Sequence, residues 1–136
     1  MITIASATIV VREYDEAIQF FVDSIGFQLI EDTDMGNGKR WIVVGPGGGA
    51  PGARFVLAKG ANESQLAACG MQAGGRVGFF LETNSFWDDY NRMKSKGVVF
   101  CEEPRQEPYG DVVVFQDLYG NKYDLIQRKQ VQAAAA

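Results

Sequence analysis

Residues 4 to 27, IASATIVVREYDEAIQFFVDSIGF, change structural period partway along. The first eight, IASATIVV, alternate small or polar side chains with apolar ones and then turn wholly apolar, as in a strand with one face on a core. Beyond Asp15, the residues Ala17, Ile18, Phe21 and Ile25 recur at helical spacing. Asp15 stands where a cap is needed and Gly26 where a helix ends. Phe27 to Glu31 reads as a second strand. MGNGK at 35–39 is a tight hairpin signal leading to a third strand, RWIVV at 40–44. Five glycines and two prolines between Gly45 and Ala53 forbid regular structure, and Arg54 to Ala58 resumes as a strand. The order is β-α-β-β-β.

Residues 59–75 are rich in Ala, Gly and polar side chains, with one short helix at Glu63 to Ala68, and read as a linker. The order then repeats. Arg76 to Thr83 is a strand, and Ser85 with Asp88 forms an approximate capping box for a helix carrying Phe86, Tyr90 and Met93. Gly97 ends that helix. Strands follow at Val98 to Glu102, Asp111 to Gln116 and Lys122 to Gln127. Gly26-Phe27 matches Gly97-Val98, and Ala7 to Val11 matches Val77 to Leu81 with one residue of slippage. The repeat of roughly 70 residues is too long for a solenoid and indicates a duplicated module.

The expected fold is therefore α+β, with two tandem βαβββ modules at residues 1–58 and 76–128, the linker at 59–75 and a flexible tail at 129–136. Each module is a curved mixed sheet with one covering helix. The uncovered face must meet a partner or line a cleft, so a cup follows from the architecture.

The chain has 136 residues and a net charge of −4, and its basic residues form no stripe. Nucleic acid is excluded as a partner on this ground, since phosphate neutralisation needs clustered positive charge. No apolar run approaches the length of a membrane helix, and a cytoplasmic protein is expected. The only cysteines, Cys69 and Cys101, are too few for a disulfide framework and are read as reduced. Cys101 is expected to be a buried small hydrophobe. Histidine is absent, which removes the commonest transition-metal ligand and the commonest neutral-pH acid/base.

VVREYDEAIQFFVDSIGF (10–27), EEPRQEPYG (102–110) and FQDLYGNKYDLIQ (115–127), in this order and on a doubled module, resemble the vicinal oxygen chelate superfamily, which holds glyoxalases, bleomycin resistance proteins and extradiol dioxygenases. The resemblance covers nearly residues 1–127. It implies cup-shaped sheets with metal ligands on the first and last strands, and it places Ser6, Gly78 and Asp124 at those positions, with Glu82 reachable by a shift of register. A hydroxyl, a bare backbone and one carboxylate do not make a transition-metal site. No metal or other cofactor is expected, the single alternative being Mg²⁺ or Ca²⁺ on Asp124, Glu82 and waters.

Strand alternation puts Lys122 and Ile126 on the face of Asp124, with Tyr123 and Leu125 toward the helix. It likewise turns Ser6, Thr8 and Val10, and Gly78, Phe80 and Glu82, into the cup. One of Arg40 and Trp41 must face inward. Trp41 suits a ligand platform and equally a core position. Trp87 is expected to pack on the sheet or on a partner chain. Tyr109, between Pro108 and Gly110, belongs at the cup rim or in an exposed turn. The expected ligand-binding set is Ser6, Thr8, Trp41, Gly78, Phe80, Glu82, Tyr109 and Asp124. Asp124 and Glu82 are the candidates for proton transfer, set against a structural Asp124 paired with Lys122, Arg40 or Arg54.

Three functions are compatible with this reading. The first is metal-independent binding of a small organic molecule. The second is a metal-dependent lyase or isomerase of glyoxalase type with an atypical ligand set, an extradiol dioxygenase being disfavoured because the resembling enzymes use two histidines. The third is a dimeric interaction module with a collapsed cleft. The resemblance also implies a homodimer.

Overall fold

The computed structural model describes residues 1–129; of the tail, only Lys129 falls within the described residues. Strand β1 (Ser6–Val11) leads into helix α1 (Tyr14–Gln19), which widens into a π-helical turn at Phe20–Ser24. Then come β2 (Gln28–Gly36), β3 (Lys39–Gly45) and β4 (Arg54–Lys59). Asn37 and Gly38 between β2 and β3 both have positive φ, 56° and 78°, as a two-residue hairpin requires. The first sheet has the order β1-β4-β3-β2, with β1 parallel to β4 and the other pairs antiparallel.

Helix α2 (Glu63–Ala68) is capped by Asn62, whose side chain accepts from the Gln65 N–H at 2.9 Å. The second sheet repeats the plan with β5 (Val77–Glu82), helix α3 (Phe86–Ser95), β6 (Val99–Phe100), β7 (Arg105–Glu107), β8 (Gly110–Gln116) and β9 (Lys122–Arg128). Its order is β5-β9-β8-β6, with β7 also paired to β8 and β5 parallel to β9.

Four sequence expectations need correction. Asp15 does not cap α1: the extended residue at its start is Glu13, and the Asp15 carboxylate is held by Arg40 at 2.8 Å. Asp88 is not the capping partner of Ser85, whose hydroxyl donates to Asp89 at 3.2 Å, while the Phe86 N–H is satisfied by the Gln127 side chain at 2.9 Å. The strand expected at Val98 to Glu102 stops at Phe100: the Cys101 N–H still donates to the Val114 carbonyl at 2.9 Å, but the Val114 N–H goes to the Glu102 carboxylate at 3.2 Å in place of a backbone carbonyl, and the ladder resumes at β7. Cys101 is exposed, because alternation from core-facing Phe100 turns it outward with Val99, whereas Cys69 is buried.

The helix-facing sides of the two sheets share one core. Phe55 of β4 packs against Phe21 of the π-helical turn and Phe79 of β5, at ring separations of 5.8 and 5.4 Å. Tyr123 of β9 stacks between Phe79 and Phe115 at 5.0 and 4.9 Å. The segment after α2 ties the sheets at their edges. The Gln72 side chain acts as a short mock strand on the free edge of β1, accepting from the Val10 N–H at 2.7 Å and donating to the Thr8 carbonyl at 2.9 Å. No described helix is long and apolar enough to cross a membrane.

Candidate functional site

With the helix-facing sides packed together, the opposite side of each sheet is left open. On the first sheet, parallel pairing aligns Ser6 with Arg54, Thr8 with Val56 and Val10 with Ala58, and Val56 is in turn paired with Val43. The alternation that buries Ile9, Val11, Ile42 and Val44 in the core puts Ser6, Thr8, Val43 and Trp41 on the open side. Val43 and Val56 are buried there beneath neighbouring side chains, whereas Trp41 is 43% exposed.

Arg40 takes the other face. There it pairs with Asp15 at 2.8 Å and Asp32 at 2.7 Å and lies over the Tyr14 ring, 5.3 Å from its centre. Arg40 holds the Asp32 carboxyl below its ordinary range, chiefly through its hydrogen bond and then its charge, against the opposing effect of burial.

On the second sheet, Asp124 lies between its cross-strand neighbours Phe80 and Val114, beside a floor made by Val112 and Ile126. Phe80 is 63% exposed. Arg105 reaches this face and pairs with Glu102 and Glu107, each at 2.8 Å, with the Tyr109 hydroxyl close enough to help hold its charge. Tyr109 thus sits at the margin of the face. Asp124 pairs with none of Lys122, Arg40 or Arg54, and its charged neighbours are Arg105 and Glu102. Burial raises its carboxyl above the ordinary range, opposed by Arg105 and assisted by Glu102. Glu82 is engaged elsewhere, accepting from Arg128 at 2.9 Å, so the two carboxylates do not form a proton-sharing pair. Trp87 stays exposed on α3, edge-on to Phe86 at 5.0 Å.

A raised folded-state carboxyl opposes folding above the ordinary carboxylate range, where the unfolded chain ionises more readily, and has no effect below it, where both states hold the proton. Asp124→Asn is therefore expected to raise the melting temperature at about pH 7 and to leave it unchanged at about pH 3, measured by scanning calorimetry at both. A lower melting temperature at neutral pH would show that Asp124 is held by an unrecognised cation.

The structure places Ser6, Thr8 and Trp41 on one sheet and Gly78, Phe80, Glu82 and Asp124 on the other, and neither of two surface grooves holds residues of both sets. One is an open groove of about 1020 Å³ at the edge of β5, lined chiefly by core-side residues such as Phe55, Phe79, Leu81 and Met93, with Gly78, Phe80 and Glu82 also contributing and Pro46, Pro51 and neighbouring glycines as its wall. A second groove, of about 830 Å³, lies between α1 and the β8–β9 turn and contains none of the expected residues. The Gly/Pro loop as a groove wall, and Arg105 beside Asp124, carry no local sequence signal. Both follow from long-range placement.

The donor set does not fit a family-type metal. Ser6 is neutral and lies on the other sheet. Gly78 lacks a side chain, and a Cβ there would lie 2.8 Å from the Cβ of Ala73, closer than carbons pack. Among the described residues, no three His, Cys, Asp or Glu side chains come together as a metal group.

The doubled βαβββ plan, two mixed sheets each with a covering helix, defines an α+β class of duplicated modules, and similarity to known proteins identifies the branch. The sequence model of the Glyoxalase/Bleomycin resistance protein/Dioxygenase superfamily matches residues 3–125, and the chain belongs to that superfamily. An uncharacterized protein of Shewanella frigidimarina (strain NCIMB 400) is 47% identical over 131 residues, 96% of each chain. Among solved structures, UcmS2 superposes with a TM-score of 0.80 at 30% identity, covering 93% of this chain and 98% of its own. TnmS3, an antibiotic binding protein from Streptomyces sp. CB03234, superposes with a TM-score of 0.77 at 26% identity, covering 95% and 98%.

Proposed function

We propose that this chain binds a flat organic molecule on its open sheet faces, without a catalytic transition metal, as a cytosolic homodimer in which each copy covers the other's open faces. The observation that carries this reading is the exposure of Trp41 and Phe80, 43% and 63%, on the sheet faces turned away from the helices. Two large rings standing outward on the faces that the helices leave uncovered favour a covering partner or ligand there. Covering about 200 Å² of apolar surface contributes about 5 kcal/mol before the cost of association. The similarity to an antibiotic binding protein supports a small molecule as the occupant.

A thermal-shift screen of fused-ring aromatics tests the proposal. A ligand at about 100 times its Kd adds about 2.7 kcal/mol of stability. A flat response across neutral and cationic rings contradicts it. For the dimer, Phe80→Asp would put a charge into the covered face, and sedimentation velocity is expected to show a dimer turned to a monomer. A wild-type monomer at micromolar concentration would refute the dimer.

A further inference from the structure

Trp41 is not free to turn. Its indole N–H donates to Glu31 Oε2 at 2.8 Å, and that contact exists because β2 is irregular. Leu29 pairs with Val44 and Glu31 with Val43, so Ile30 is an extra, bulged residue. In a regular strand Leu29 and Glu31 would share a face. The bulge moves Glu31 to the open side, diagonal to Trp41 and within reach of its ring edge.

This carboxylate is also uncompensated. Among the described residues the neighbouring Asp32 is paired with Arg40 at 2.7 Å, whereas Glu31 makes no ion pair. Lys39 and Arg54 lie on the same sheet face by alternation, yet neither pairs with it, and the Arg54 stem turns instead toward Gly45. With one oxygen on the indole, Glu31 keeps the other for an incoming donor. A half-exposed indole face attracts a cation through its quadrupole, and a carboxylate at its edge accepts a charge-assisted hydrogen bond.

We infer that Trp41 and Glu31 together form a subsite for a flat, delocalised organic cation with an N–H at its edge, such as an amidinium or an amino-substituted heteroaromatic ring. This names the ligand class of the site proposed above and rests on that reading. Trp41 supplies the stacking surface. Glu31 both fixes the ring and selects the charge.

The test is calorimetric titration of the wild-type protein and Glu31→Gln with two probes that share a ring system: 9-aminoacridine, cationic at neutral pH, and acridone, neutral. The side-chain amide introduced by this substitution still offers an acceptor to the indole, so the platform is retained while the charge is lost. The wild type is expected to prefer the cation by about tenfold, and E31Q to lose that preference while binding acridone as before. Equal wild-type affinity for both probes, or a cation preference that survives in E31Q, overturns the subsite and leaves the ligand-binding reading intact. Binding of neither probe overturns both.

Discussion

Asp117→Ala is expected to destabilise the chain by about 3–5 kcal/mol, the cost of removing one partner from a buried, charged hydrogen-bond network. Asp117 is 6% exposed and closes the turn between β8 and β9. Oδ1 accepts from the backbone N–H groups of Tyr119, Gly120 and Asn121 at 2.8, 3.0 and 3.1 Å. Oδ2 accepts from Asn121 Nδ2 at 2.9 Å and from the Tyr123 hydroxyl at 2.7 Å. Tyr123 is fully buried between two phenylalanine rings, so without Asp117 its hydroxyl has no partner. Tyr123→Phe removes one of these bonds together with its donor and is expected to cost only about 1 kcal/mol. Urea unfolding of the two variants checks the contrast. An alanine loss below about 1 kcal/mol would mean that water replaces the carboxylate and that the turn does not fix β9.

Trp41→Ala is expected to weaken aromatic-ligand binding by about 30-fold or more, equivalent to about 2 kcal/mol, because a central aromatic platform contributes on that scale. Its effect on stability is expected to be small, since the residue is 43% exposed and stands outside the core cluster. Trp87→Ala on α3 serves as the control and is expected to leave affinity unchanged. A Trp41→Ala protein that binds as the wild type does would move the site off the first sheet.

Much of the architecture was legible because its signals are local and periodic. The alternation in KYDLIQ of β9 separates Tyr123 and Leu125, which enter the core, from Asp124 on the open face. The Asn37-Gly38 turn aligns β2 with β3 and leaves Trp41 and Arg40 on opposite faces. Which of the two faced outward was not legible, because the choice depends on Asp15 and Asp32 capturing Arg40 from an adjacent helix and strand.

Other features were hidden for related reasons. The bulge at Ile30 has no Gly or Pro to announce it, so the route by which Glu31 reaches Trp41 was missed. The break after Phe100 depends on a Glu102 carboxylate replacing a backbone acceptor, and Cys101 is exposed because Phe100, not Cys101, takes the core-facing side. Asp124 gained a cationic neighbour, Arg105, from a three-residue strand that apolar patterning does not reveal.

The most direct test of the central claim is fluorescence titration of a Trp87→Phe protein, dialysed exhaustively against chelator, with a panel of fused-ring aromatics that includes acridone and 9-aminoacridine. Saturable quenching of the remaining Trp41 emission in the metal-stripped protein is the predicted result. An emission that no ring perturbs, or quenching that returns only when zinc, nickel, iron or manganese is added back, would contradict it.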